Sequence, residues 1–300
     1  MGGGGFSVGP PVPGALPPAL ARSSLSLRGW VPRRRLRLLL GVALSAPQHR
    51  IGKPPPLLLV SISLATIPVP DSKKLVNFDV IAAHDPEVVF IAMRAGISWG
   101  YQDPWFAYYF QEAGRIGSVR LAYHVLYPGE PAVRQMDNFF RILGDIDFSQ
   151  IPLVLDLELD HGQSVARITQ TTSQSVNLIQ NRTGRPALIY SRAGWVNQYL
   201  RVSDLPPVHW WLAQYRWLLP YPLATPEYPS PPALPKGVTT WLAHQTAARG
   251  LSIGAPAAHF MDYNRWNGDK AAVLSYVNRQ PEIPITCPID SLPCTGRKYL

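Results

Sequence analysis

The sequence predicts an α/β fold in which a parallel sheet closes into a barrel, and three observations carry that prediction. From Leu57 onward, apolar runs of strand length alternate with helix-length segments. The runs are rich in Val, Ile and Leu, the pattern of parallel strands buried on both faces. At least five strand-helix units follow one another before two late strand-like runs, and no glycine-rich phosphate loop follows the first strand. The last point removes the main nucleotide-binding alternative.

In chain order the strands are expected at LLLVSISL (57–64), VVFIAMRAG (88–96), SVRLAYHVL (118–126), IPLVLDLEL (151–159), PALIYS (186–191) and HWWLAQYR (209–216). TTWLAHQT (239–246) and HFMDYN (259–264) complete the set. Helical patterns lie between them at 76–84, 104–116, 132–143 and 164–183. Asp103 followed by Pro104 suits a helix start, with the acid as cap and proline in the first turn. The Pro-rich stretch 218–235 reads as a long irregular loop inside the domain, of a length that serves binding, closure or mobility.

Residues 1–56 read differently. Gly2 to Gly5, then GPPVPGALPPAL, an arginine run and Pro54-Pro55-Pro56 form a low-complexity segment expected to be disordered. Within it, the arginines of 33–37 followed by LLLGVALSA resemble a secretory signal, placed too far from Met1 for a standard one. The chain therefore divides into 1–56, a globular domain at 57–282 and a tail at 283–300. Of the +9 formal charge, eight cations lie in residues 1–53, which hold no acid, leaving +1 for the rest. A basic nucleic-acid-binding surface is not supported, although an anionic cell wall would attract the tract.

No apolar run reaches the roughly 18–20 residues of a membrane-spanning helix. Cys287 and Cys294 suit either one disulfide across a short tail loop or two reduced thiols. The seven histidines are scattered without HExxH or a Cys/His cluster, so neither a metal nor another cofactor is expected. Nine Trp and 13 Tyr serve either a core or sugar stacking and decide nothing alone.

The chemistry concentrates in LVLDLELD (153–160). Residues two apart on a strand share a face, so Asp156 and Glu158 project together. Near the C-terminal end of a barrel strand they occupy the face where barrel enzymes work. Two close carboxylates repel, which raises the proton affinity of at least one. A carboxyl group that keeps its proton near neutral pH is what protonating a glycosidic oxygen requires. The plainer alternative is a strand ending in solvated acids paired with a neighbour such as Arg94.

Several segments, in order, resemble glycoside hydrolase family 25, lysozymes that act as N-acetylmuramidases on bacterial cell walls. VVFIAMRAG resembles the family's second strand, Tyr101-Gln102-Asp103-Pro104-Trp105-Phe106 its YxDPxF loop, and Leu121-Ala122-Tyr123-His124 its GAYH strand. LVLDLE resembles the acidic strand, ALIYS the next, and Trp211-Leu212-Ala213-Gln214-Tyr215 the WxAxY strand. Trp241 through Gln245 resembles the tryptophan strand near the sugar, and Met261-Asp262-Tyr263-Asn264 the closing DxN motif. The resemblance covers roughly 57–280.

It implies a TIM-like (β/α)-barrel with eight strands and an incomplete ring of helices. It further implies a monomeric, secreted enzyme whose partner is bacterial peptidoglycan. Carried over, Glu158 is the general acid, and Asp156 and Asp262 position or activate the reacting groups, through the substrate's own acetamido group. Tyr101, Tyr123, Tyr190, Trp241 and Gln245 would bind the sugar. No metal and no cofactor is implied.

One departure bears on activity. The family begins its barrel with an Asp on the first strand, in a pattern like DVSxxQ, whereas no acid lies between Met1 and Asp71 here. Asn77-Phe78 takes the place of a later Asp-Trp, Asp79 reads as helical, and Asp71 lies in a loop. The expected readings are therefore a muramidase, a wall-binding barrel without activity, and a chitinase-type enzyme. Only the last two acids of the chitinase DxxDxDxE series are present.

Overall fold

The computed structural model describes residues 60–64, 76–215, 230–255 and 260–279. Segment 1–56, Asp71, residues 218–229 of the Pro-rich loop, both cysteines and the 283–300 tail lie outside the described residues. In chain order the elements are β1 (Val60–Leu64), α1 (Phe78–Ala82), β2 (Val88–Ile97), β3 (Tyr101–Gln102), α2 (Phe106–Arg115) and β4 (Val119–Val125). Then come α3 (Ala132–Leu143), β5 (Leu153–Asp156), α4 (Val165–Thr183), β6 (Leu188–Ser191), α5 (Ala193–Tyr199) and β7 (His209–Ala213). β8 (Ala243–Leu251), β9 (Phe260–Trp266) and α6 (Lys270–Val277) follow.

The sheet runs β1-β9-β8-β7-β6-β5-β4-β2-β3, and β1 also pairs with β2. β3 is a two-residue antiparallel arm on β2, so eight strands make a curled sheet. Six neighbouring pairs, from β1–β2 round to β7–β8, are parallel. β9 departs from the expected parallel sheet and runs antiparallel to both β8 and β1. The connection from Leu251 to Phe260 is shorter than the dozen or so residues a parallel crossover needs.

Capping and amphipathicity explain the helices. Ser164 caps α4 by accepting from Arg167 N, and Gly184, left-handed at φ 66°, ends it. Asn77 caps α1 through Asp79 N and Val80 N. Asp79 is helical as expected and pairs with Arg115 on the surface. α3 buries Ala132, Gln135, Met136, Phe139 and Leu143, a stripe at helical spacing. The seven-residue α5 and α6, capped by Asp269 on Ala272 N, are additional to the helices that the sequence pattern predicts.

The sheet separates two apolar layers. Outside it, Ile91, Met93, Leu155, Ile189 and Leu212 pack with Met136, Phe139, Ile168, Val176 and Val196 of the helices. Inside, Phe90, Leu121, Val154, Leu188, Trp211, Ala243 and Trp266 form a second cluster. Phe90 meets the rings of Trp211 and Trp266 edge-on at 6.3 and 5.6 Å. Val273, Tyr276 and Val277 of α6 join this inner cluster. Arg185, just before β6, donates to the carbonyls of Tyr276 (2.6 Å) and Val277 (2.8 Å). α6 thus closes the N-terminal end of the interior, and the C-terminal ends of the parallel strands form its mouth.

Candidate active site

On five of the strands the same face carries a polar group two residues beyond an inner apolar one; β7 is the exception, with Ala213 after Trp211. Arg94 follows Ala92, Tyr123 follows Leu121, Asp156 follows Val154, Tyr190 follows Leu188, and Gln245 follows Ala243. β9 runs the other way, so Asn264 and Asp262 follow Trp266 in the same direction. The change from apolar to acid expected on β5 therefore recurs round the sheet. β5 ends at Asp156, but Leu157 N donates to Tyr190 O (2.9 Å) and Ser191 Oγ donates to Leu157 O (2.6 Å). Those bonds keep the chain extended as far as Glu158.

The three expected carboxyl groups are electrostatically coupled in this mouth. Asp156 is raised well above the usual carboxylate range, by burial first and then by Glu158 and Asp262, against the pull of Arg94. Its Oδ1 is buried without a hydrogen-bond partner among the described residues. A neutral carboxyl group is the form that tolerates such a place. Asp262 is raised to about 6, chiefly by burial, then by Glu158, while a hydrogen bond from Gln245 opposes the rise. Glu158 is also raised by burial, with Arg192 opposing. Its side chain keeps 36% exposure, and Arg192 Nε stands 3.7 Å from Oε1, too far for a hydrogen bond. Glu158 is therefore the carboxyl of the three that both holds a proton more tightly than usual and reaches solvent.

Gln245 organises one side of the cluster. Its Oε1 accepts from the Tyr190 hydroxyl and from the Tyr215 hydroxyl at 3.3 Å. Two hydroxyl donors on the oxygen leave the amide nitrogen for Asp262, which fixes the orientation of the amide chemically. Burial, then Asp156, pushes the Tyr123 phenol up, and burial does the same to Tyr190. Both therefore stay neutral donors in the mouth.

Arg94 is not the partner of the acidic strand that the plainer reading supposed. Its Nε donates to Asp103 Oδ2 at 3.0 Å, and it acts on Asp156 only through space. Asp103 also accepts from Trp105 N (3.1 Å), but α2 starts at Phe106 with Trp105 at its cap position and no side-chain cap bond, so Asp103 holds the turn ahead of the helix and does not cap it as expected. Tyr101 lies 40% exposed with the Arg94 guanidinium 5.5 Å from its ring centre.

Gln245 and Trp241, both expected as sugar contacts, have other partners in the structure. Gln245 is 2% exposed and spends its amide on Tyr190, Tyr215 and Asp262, so it positions other groups. Trp241 lies two residues ahead of β8's first residue, at the opposite end from the mouth. Its ring meets His244 at 6.0 Å and the Arg265 guanidinium at 5.5 Å, and it packs against the outer cluster. The strand begins at Ala243 rather than at the tryptophan, so the motif's aromatic falls at the entry end.

Residues that sequence reasoning did not single out are Tyr215, Arg192 and Asn264. Tyr215 and Asn264 sat inside recognised motifs. Asn264 Oδ1 accepts from Trp211 Nε1 (3.1 Å), which ties β9 to β7 beneath Asp262. On β1 the register sets Ser63 opposite Asp262 and Ser61 opposite Asn264. Among the described residues no group of His, Cys, Asp and Glu is arranged to hold a metal ion, and no helix is long and apolar enough to cross a membrane.

Similar known proteins include bacterial and fungal ones. The chain is 28% identical over 186 residues to the uncharacterised YegX proteins of Escherichia coli O6:H1 and K12, matching 61% of its own length and 60% of theirs. It thus spans about 60% of the length of these curated relatives. Among solved structures it resembles the bacterial lysozyme of Streptomyces coelicolor (TM-score 0.59, 22% identity), with 73% of this chain and 97% of that one covered. It also resembles the muramidase of Acremonium alcalophilum (TM-score 0.58, 18% identity; 73% and 99% covered). The family GH25 lysozyme of Aspergillus fumigatus is similar at TM-score 0.58 and 21% identity, with 74% and 99% covered. These likenesses concern the fold. The model of glycosyl hydrolases family 25 matches residues 73–252, more than half of the chain, and the chain belongs to that family.

Proposed function

We propose that this protein is a lysozyme-type glycosidase, hydrolysing the β-1,4 bond between N-acetylmuramic acid and N-acetylglucosamine in bacterial peptidoglycan. Family membership supports the reaction class. The observation that carries the residue roles is the unequal environment of three carboxyl groups at one mouth. Glu158, which holds its proton more tightly than usual and is open to solvent, is the general acid to the glycosidic oxygen. Asp262, ionising near pH 6, and Asp156, buried behind both, orient the substrate's acetamido group and offset the charge that develops on the sugar. Tyr101, Tyr123 and Tyr190 line the cleft. The curled sheet is, in this reading, a TIM-like barrel with an incomplete helix ring, acting as a monomer outside the cell without a cofactor.

Loss of turbidity of purified bacterial walls, with release of reducing sugar, tests the proposal. Glu158→Gln is expected to lower the rate by about 10²–10⁴-fold, the usual worth of a general acid. Equal release by wild type and variant sinks the enzyme reading.

A second reading rests on β1. Serines occupy the register positions opposite Asp262 and Asn264, and the strand has no acid. On that basis the chain is a wall-binding barrel with impaired catalysis. Binding to walls without release of reducing sugar is its signature in the same assay.

A further inference from the structure

β2 leaves the sheet through a tight turn before pairing back as β3, and the turn is held with unusual care. Ser98 adopts a left-handed φ of 51°, sparsely populated by residues other than glycine. Asn138 of α3, fully buried, donates through Nδ2 to the carbonyls of Ser98 (3.1 Å) and Tyr101 (2.9 Å). Its Oδ1 accepts from Gln102 Nε2 (3.2 Å) and Arg141 Nη2 (3.1 Å). A buried amide with three of its four contacts spent on this turn and its return strand fixes what the turn displays.

What it displays is apolar and exposed. Trp99 keeps 46% and Tyr101 40% of their surface, and Val133 at the start of α3 keeps 56%. These are three of the seven large exposed apolar side chains among the described residues, so the exposure is concentrated here. The Arg134 guanidinium lies 4.5 Å from the centre of the Trp99 ring and forms no ion pair with any described residue. Arg94 links the strip to the carboxyl cluster, since its guanidinium lies 5.5 Å from the Tyr101 ring centre and its charge acts on Asp156. A rigid aromatic face beside an unmatched cation, next to a glycosidase mouth, complements a polymer that alternates sugar faces with carboxylates.

We propose that Trp99, Tyr101 and Arg134 form an accessory subsite for the peptide-bearing glycan strand, beyond the sugars at the scissile bond. The rings take a sugar face and Arg134 pairs with a stem-peptide carboxylate. The assignment rests on the peptidoglycan reading, and it predicts a preference for glycan that still carries its stem peptides.

Binding is measured in the Glu158→Gln background to prevent turnover. The two probes are a soluble wall glycan fragment with stem peptides and the same fragment stripped of them by an amidase, its freed lactyl carboxyls then capped as neutral amides. Trp99→Ala is expected to weaken both probes about tenfold, the scale of an aromatic anchor. Arg134→Gln is expected to weaken only the peptide-bearing probe, roughly two- to fivefold, with the effect lost in high salt. If the Glu158→Gln protein binds and both further substitutions leave its affinities unchanged, the subsite is refuted while the peptidoglycan reading stands. If the Glu158→Gln protein binds neither probe, both fail together.

Discussion

Three carboxyl groups around one interior cannot all be ionised at low cost, and the environments here sort them. Asp262 gives the sharpest consequence, because its carboxyl is raised to about 6. Below pH 4 it is protonated in both folded and unfolded chains and contributes nothing. As pH rises towards 6 the unfolded chain releases the proton while the folded one retains it, so stability falls across that window. Asp262→Asn removes this penalty. Chemical denaturation is expected to show the variant equal to wild type near pH 3 and more stable at pH 7, by about 1–3 kcal/mol. A constant difference across pH contradicts the assignment. Gln245→Leu acts in the opposite sense: it removes a donor to Asp262, so the titration seen by NMR should move to higher pH. Asp156 and Glu158 were legible because shared face at i and i+2 is a local property of a strand. Tyr215 and Arg192 were not, nor was the positioning role of Gln245, because these roles arise from residues of other elements, tens of positions away.

At the scale of elements, the strands expected from apolar runs coincide with β1, β2 and β4 to β9 within a few residues. Burial on both faces writes itself into composition, so those runs survive any change of tertiary context. Strand direction is not written there, and β9 turned out antiparallel. The exact start of β8 was equally hidden, and with it the end of the interior at which Trp241 lies. The first strand is where element and chemistry meet. Its serines pair in register with Asp262 and Asn264. If the absent acid limits catalysis, Ser61→Asp or Ser63→Asp should raise reducing-sugar release from walls at least severalfold, since acid, base and electrostatic groups act as a unit. Substitutions that leave the rate unchanged while the chain stays folded by circular dichroism place the limit elsewhere.

At the scale of the whole molecule, charge is divided as unevenly as the carboxyl groups are. Residues 1–53 carry eight cations and no acid, and the remaining 247 carry a net +1. Near neutrality, the larger part has little long-range attraction for an anionic wall. Any such attraction comes from the arginine-rich tract, and its range is set by salt: about 10 Å at 0.1 M and about 3 Å at 1 M. Adsorption of the full chain to purified walls should therefore fall severalfold between roughly 0.02 and 0.5 M salt. Replacing Arg33, Arg34, Arg35 and Arg37 by Gln should lower adsorption at the low end and leave it unchanged at the high end. What should persist in high salt, on the proposed reading, is short-range contact through the cleft and the exposed Trp99 ring, which does not depend on net charge. The same substitutions should leave cleavage of short soluble glycan untouched, because such a fragment reaches the cleft without first being held on a surface. A chain whose low-salt adsorption ignores the four arginines must find its wall through the globular part alone.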